Sequence, residues 1–371
     1  MAYDNKQWEL TEEDFGPLLP YIKDDSVTDI NLNCNGAELW INYIDKAKKR
    51  IEDHGCTPGF VESFVHRVSN KQSKQFNKQE PVLEADTDKL RISCIFGSVA
   101  KTGISICIRK SPPVMRITAK EALEQKYFTK PILNLLVNCV KAKMNIVFCG
   151  EPGVGKTECA KFFSQFIKPE DRVITIEDNL EFHYKEINPG KDCVELQIED
   201  RVFEYDKALK SVLRQNPDWV FLSEARSHEV KHLLTCWSSG ICGFTTLHTD
   251  DVRKIPDRIE NMMGNQRDAE RLENDIFSFV NVGVLVRKKK KSDGTVYRYI
   301  DQVCFFVREG NKNRTIMVVE DGKMLTKPIT EGEGKNKKER TVFVPLPADI
   351  LKKMVFADIE KPLECSDFDN L

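Results

Sequence analysis

Residues 150–157 read GEPGVGKT and match the phosphate-loop pattern G-x-x-x-x-G-K-[ST] at every fixed position. Gly150, Gly153 and Gly155 let the backbone curl so that successive N–H groups turn inward toward phosphate oxygens. The helix that follows adds the partial positive charge of its N-terminus. Glu151, Pro152 and Val154 complete the loop, and Glu158 stands at the start of that helix. Lys156 is expected to reach the β and γ phosphates, and the Thr157 hydroxyl to ligate Mg²⁺. The context suits this chemistry: NIVFC (145–149) is an apolar strand-type run before the loop. ECAKFFSQFI (158–167) places Cys159, Phe162, Phe163 and Phe166 at helical spacing after it. The segment is predicted to bind a nucleoside triphosphate.

Binding is not hydrolysis, which needs groups that hold the metal and place a water. Two acidic clusters follow apolar strand-type runs. Glu177, Asp178 and Glu181 come after RVITI, and Glu224 comes after WVFLS. Ligands of an open parallel sheet gather at the carboxyl ends of its strands. A carboxylate at that edge can orient water or hold Mg²⁺, although acidic residues at strand ends also serve as helix caps. Three around one phosphate loop are harder to assign to capping alone. Thr245–Thr249 (TTLHT) is another strand running into polar residues, and His248 could sense a γ-phosphate through a hydrogen bond. Arg109 and Lys110 end a strand directly before Ser111-Pro112-Pro113; they could face a nucleotide or simply be a solvated strand end.

The elements that must position these groups follow from periodicity. Residues 1–116 read as a smaller α+β domain, with a helix at 11–23 and another at 60–74. Alternation in RISCIF and SICIR suits a sheet buried on one face. Residues 117–130 read as a linker with helical character. From 131 to 307 strands and helices alternate, which predicts a mainly parallel sheet in a RecA-like α/β domain. Arg287–Thr295 (RKKKKSDGT) reads as a hairpin connection with Asp293-Gly294 at the turn and Lys288–Lys291 as a solvated tip. Residues 308–371 form a C-terminal extension of no legible role. Its polar stretch EGEGKNKKER (331–340) reads as a mobile loop, and 348–356 as a last helix.

Length and composition bound the rest. A chain of 371 residues predicts two or three domains. With 40% hydrophobic and 31% charged residues it reads as an ordinary soluble globular protein. A net charge of −2 supplies no global attraction to nucleic acid or anionic lipid, so direct nucleic-acid binding is not expected. Twelve cysteines are scattered without any C-x-x-C pair, which argues against a zinc site or disulfide framework. No apolar window approaches a membrane span and the N-terminus MAYDNKQWEL lacks signal-peptide character, so a cytoplasmic protein is expected.

The order of the motifs carries a resemblance. GEPGVGKT, then ITIEDNLE, LRQNPDWVFLSEAR and GFTTLHTDD resemble the secretion ATPase superfamily, the motors of type II and type IV secretion, conjugation and type IV pilus systems. The likeness runs from about Val27 to Val307, and SICIRKSPP resembles the branch of type IV secretion and tight-adherence pilus ATPases. It implies that Glu224 polarises the attacking water, that Glu177, Asp178 and Glu181 are the acidic box, and that His248 is the histidine box. Asp178 and Thr157 would serve Mg²⁺. It also implies that Arg109 contacts nucleotide, and that Arg201 and Arg214 lie around the active site. The assembly implied is a homohexamer working peripherally on a membrane secretion or pilus platform. Ser223 stands where the family usually has glycine, and Ala225, Arg226 and Ser227 where it often has glycine or acidic residues. Ser223 and the unmatched segment after 307 support an alternative reading, a nucleotide-gated scaffold that hydrolyses ATP very slowly and regulates a partner ATPase. A nucleic-acid motor is the third, disfavoured by the charge balance.

Overall fold

The computed structural model describes residues 10–199, 201–227, 229–264, 269–331 and 338–365. The chain divides into two compact units, 1–113 with 289–297, and 114–288 with 298–371.

In the first unit, helices α1 (Glu12–Phe15) and α2 (Leu19–Lys23) replace the single helix expected over 11–23. Gly16 sits at φ 45° and Pro17 follows it, so the backbone leaves the α conformation between them. Strands β1 (Val27–Asn33), β2 (Glu38–Tyr43) and β3 (Lys49–Ile51) come next, then α3 (Pro58–Lys71). β4 (Val82–Asp86), β5 (Leu90–Ile95) and β6 (Ser105–Lys110) complete an antiparallel sheet of order β3-β2-β1-β6-β5-β4. Burial alternates along β5 and β6, as their sequences predict, because only one face is covered. Val61, Phe64, Val65 and Val68 of α3 share that core with Ile30, Ile92 and Ile108.

The second unit opens with α4 (Ala119–Glu124) and α5 (Lys130–Lys141). β7 (Ile146–Cys149) leads into α6 (Lys156–Ser164), and β8 (Val173–Glu177), α7 (Tyr184–Ile187) and β9 (Cys193–Gln197) follow. α8 (Tyr205–Val212), β10 (Trp219–Leu222), α9 (Glu229–Ser238) and β11 (Cys242–Leu247) continue the alternation. Helices α10 (Ile255–Met263) and α11 (Ala269–Phe279) precede β12 (Val282–Lys290) and β13 (Val296–Glu309). β14 (Lys312–Glu320) and β15 (Lys323–Met324) extend the sheet. β16 (Thr326–Glu331) and β17 (Lys338–Phe343) pair with each other, and α12 (Ala348–Phe356) comes last.

Among the described residues the sheet runs β15-β14-β13-β12-β7-β11-β10-β8-β9, and the run from β12 to β9 is parallel. β7, β8 and β10 are buried at every position, as parallel strands covered on both faces must be. Phe221 and Phe244, on neighbouring strands, stack with ring centroids 4.8 Å apart.

Of the C-terminal extension, β14 and β15 continue this sheet and Ile350 and Met354 of α12 join its core. Two expectations are corrected here. The stretch expected as a loop at 331–340 is strand at Glu331 and at 338–340, and its middle lies outside the described residues. β12 reaches further than expected, to Lys290, so Lys288–Lys290 belong to the strand rather than to the hairpin tip.

Candidate functional site

Strand register brings the separate motifs to one edge. Cys149 pairs with Leu247, Leu222 with Thr245, and Leu222 also with Ile176, so these strands end at about one level. Each chemical group comes one or two residues later, at Gly150, Glu177, Glu224 and His248.

The loop from Gly150 to Gly155 needs its glycines for different reasons. Gly150 lies at φ 146°, and a Cβ there would overlap the Val286 carbonyl oxygen of β12. Gly153 and Gly155 take φ 71° and 93°, the left-handed region where a side chain is strained. Glu151, Pro152 and Gly153 are exposed, while Val154 is buried against the core. Lys156 is buried, and its Nζ donates to the carbonyls of Gly150 at 3.3 Å and Glu151 at 3.4 Å. Burial lowers its pKa, and Glu224 and Glu181 act in the opposite direction. Thr157 Oγ1 lies 3.5 Å from Glu181 Oε2, and Glu158 pairs with the buried Lys161 at 3.1 Å.

Glu224 stands at the centre of a continuous polar chain. Its Oε1 lies 2.7 Å from His248 Nε2. Its Oε2 accepts from Arg226 Nη2 at 2.7 Å and Nε at 3.0 Å. Arg226 Nη1 reaches on to Asp178 at 2.7 Å. On the other side, His248 Nδ1 lies 3.1 Å from Lys156 Nζ and 3.2 Å from the Gly150 carbonyl. With Nε2 protonated, the ring donates to Glu224 and accepts from the Lys156 ammonium. Asp178, Arg226, Glu224, His248 and Lys156 thus link the acidic loop to the phosphate loop. Burial pushes the Glu224 carboxyl up, but Arg226, His248 and Lys156 together hold it below the ordinary glutamate range. The motif's backbone is fixed between strands: Ser223 N–H donates to Ile176 O, Ala225 N–H to Thr246 O, and Thr246 Oγ1 to Ser223 O. Arg226→Gln is expected to raise the Glu224 pKa, so the acid limb of a turnover–pH profile should move to higher pH.

Glu177 is placed differently from the other carboxylates. It is fully buried, and its Oε2 accepts from the N–H groups of Glu181 at 2.9 Å and Phe182 at 3.0 Å. Its geometry is that of a post around which the acidic loop turns. Burial pushes its pKa from 4.5 up to about 7, against the two N–H donors. The folded unit therefore holds a proton that the unfolded chain releases above about 4.5, and stability falls as pH rises through that window and levels off above about 7. The span corresponds to about 3 kcal/mol. Denaturant melts of wild type and Glu177→Gln between those pH values should show this slope in the wild type and its loss in the variant.

The other expected residues are dispersed. Arg109 belongs to the first unit, where its Nε donates to Asp29 at 2.9 Å. Lys110, its expected companion, is buried and donates to the carbonyls of Asp24 and Tyr21, so it holds its own fold together. Arg201 and Arg214 line an open cavity of about 800 Å³ beside α8 with Lys207 and Lys210, and no phosphate-loop residue lines it. The Thr157 hydroxyl and the Glu181 carboxylate, 3.5 Å apart, are oxygen donors of the hard type Mg²⁺ prefers, whereas Asp178 is engaged by Arg226. Arg226, noted in the sequence only as a departure from the family pattern, is the residue that bridges Glu224 and Asp178. Among the described residues no helix is long and apolar enough to cross a membrane.

Comparison with known proteins gives the same class. A curated relative, an uncharacterized protein of Bacillus anthracis, is 27% identical over 307 residues, covering 80% of this chain and 68% of its own length. Conjugal transfer protein TrbB of Rhizobium radiobacter is 25% identical over 247 residues, 65% of this chain and 73% of that one. In fold, the chain is similar to the X-ray structure of the Yersinia pseudotuberculosis ATPase DotB, with TM-score 0.60 and 14% identity over 82% of this chain and 81% of that one. The model of the family described as type II/IV secretion system protein matches residues 83–323. That span is more than half of the chain, which belongs to the type II/IV secretion system protein family.

Proposed function

We propose that the chain is a Mg²⁺-dependent ATPase that works as a homohexameric motor for type IV secretion or conjugation, or for a related pilus. The observation that carries this reading is the joining of Glu224 to the phosphate loop through His248 and Lys156. The loop N–H groups and the α6 N-terminus would hold the phosphates. Lys156 would exchange its Gly150 and Glu151 carbonyl partners for phosphate oxygens. His248 spans the loop lysine and Glu224, so that exchange reaches the carboxylate directly. Glu224, kept ionised by its neighbours, would orient and polarise the attacking water. Thr157 with Glu181 would hold Mg²⁺, which would supply neutralising charge to the phosphates. The family and the conjugal transfer relative support a role in transport across membranes, with a membrane platform as partner and the cytoplasmic face as the working site.

A second reading, the slowly hydrolysing nucleotide-gated scaffold, rests on one observation. Both Glu224 oxygens are already engaged, by His248 on one side and Arg226 on the other. Phosphate release by the purified chain, with and without Mg²⁺, and sedimentation of the same samples decide between them. Mg²⁺-dependent turnover on hexamer-sized particles is the expected result. Tight ATP binding without turnover, persisting in the presence of solubilised membrane partner, would favour the scaffold.

A further inference from the structure

The four lysines of the β12–β13 connection read from sequence as one solvated tip, but the structure separates the first of them from the rest. β12 passes over the start of the phosphate loop, where the Val286 carbonyl leaves no room for a side chain at Gly150. Two residues on, and therefore on the same side of the strand, comes Lys288. Its Nζ lies 3.7 Å from the point where a Cβ on Gly153 would stand. From the facing strand β13, Arg298 places its Cδ and Nε 3.6 and 3.8 Å from the equivalent point on Gly155. Both glycines thus present bare backbone to a cationic side chain from outside the loop. Arg287, between Val286 and Lys288, is committed elsewhere: its Nε donates to Asp301 at 2.6 Å and its Nη2 to the Asp250 carbonyl at 2.8 Å. That pairing fixes the strand and so the position of its neighbour. Lys288 is exposed on a flexible four-carbon stem, and Arg298 is half-buried and closer to the start of α6.

We propose that Lys288 and Arg298 form a cationic clamp on the outer flank of the phosphate loop that takes non-bridging oxygens of a bound nucleoside polyphosphate. The inference rests on the reading of the loop as a nucleotide site. It adds two positive charges to those of Lys156 and the α6 N-terminus, so affinity depends on the number of phosphates. The clamp favours the triphosphate, whose charge is greatest, over the diphosphate and the monophosphate. Charged partners so close to a phosphate are felt strongly, and salt screens them only in part.

The test is titration of the full chain with fluorescent ATP, ADP and AMP analogues, for wild type, Lys288→Gln, Arg298→Gln and Arg298→Lys, with Lys290→Gln as a control on the same hairpin. Each Gln variant is expected to weaken ATP binding about tenfold, ADP binding less and AMP binding least. Lys290→Gln should bind as wild type does, and Arg298→Lys should keep most of the affinity. Thermal melts establish that each variant is folded, and Lys288→Gln, at an exposed position, tests the clamp even if Arg298→Gln does not fold. Wild-type binding with ATP affinity unchanged in Lys288→Gln and in folded Arg298 variants would overturn the clamp alone. Equal losses for all three nucleotides, or Arg298→Lys as impaired as Arg298→Gln, would also overturn it, because charge would not be the cause. A wild type that binds none of the nucleotides would overturn the nucleotide reading of the loop and the clamp with it.

Discussion

Glu224→Gln should reduce phosphate release by about 10²- to 10⁴-fold while nucleotide binding persists. The substitution keeps the shape of the side chain and one acceptor oxygen but removes the charge that can draw a proton from water. It also puts an amide where Arg226 and His248 now meet a carboxylate, at 2.7 Å on each side. The binding elements, the loop backbone and Lys156, are not altered by it. Single-turnover phosphate release and equilibrium titration with a fluorescent ATP analogue separate the two effects. Loss of binding together with turnover would mean that Glu224 holds the loop in shape. Unchanged turnover would remove Glu224 from the chemistry and leave the water to another group.

Phe221→Ala should destabilise the second unit by about 3–5 kcal/mol, the range for emptying a large aromatic site in a core that relaxes only in part. Phe221 is 1% exposed. Its ring stacks on Phe244 at 4.8 Å and lies 5.1 Å from Phe182 and 5.8 Å from Tyr184. Phe182 and Tyr184 belong to the segment that follows the acidic loop, and the Phe182 N–H is one of the two donors to Glu177. A cavity at 221 therefore loosens the packing under the site as well as the sheet. Urea unfolding followed by far-ultraviolet circular dichroism gives the stability change. A cost below about 1 kcal/mol would show that neighbouring rings refill the space.

The phosphate loop and its flanking strand and helix were fully legible, since loop chemistry needs particular residues at fixed spacing and the flanks carry strong apolar periodicity. The α12 boundaries, Ala348–Phe356, were equally clear because the segment is short, amphipathic and bounded by prolines upstream. Other elements were not. β9 (Cys193–Gln197) is an edge strand whose half-exposed residues mix polar and apolar types without regular alternation. α11 (Ala269–Phe279) buries only Leu272, Ile276 and Phe277 among many charged residues, a stripe too narrow to stand out. The helix over 11–23 failed at Gly16-Pro17, where backbone chemistry overrides an otherwise helical pattern.

What the sequence determined by itself is the phosphate-loop motif, the alternation of strands and helices and the family, because these depend on residue type and local spacing. Which groups meet was decided by the parallel register, which brings residues 150, 224 and 248 to one edge although they are far apart in the chain. The same register turned Glu177 inward as a buried post for the acidic loop, while Arg226 was left to bridge Asp178 and Glu224. The strand pairing of β12 with β7 likewise carried Lys288 to the loop, a placement that no reading of a lysine run could supply. Local rules set what each side chain can do; long-range hydrogen bonding between strands sets what it does it to.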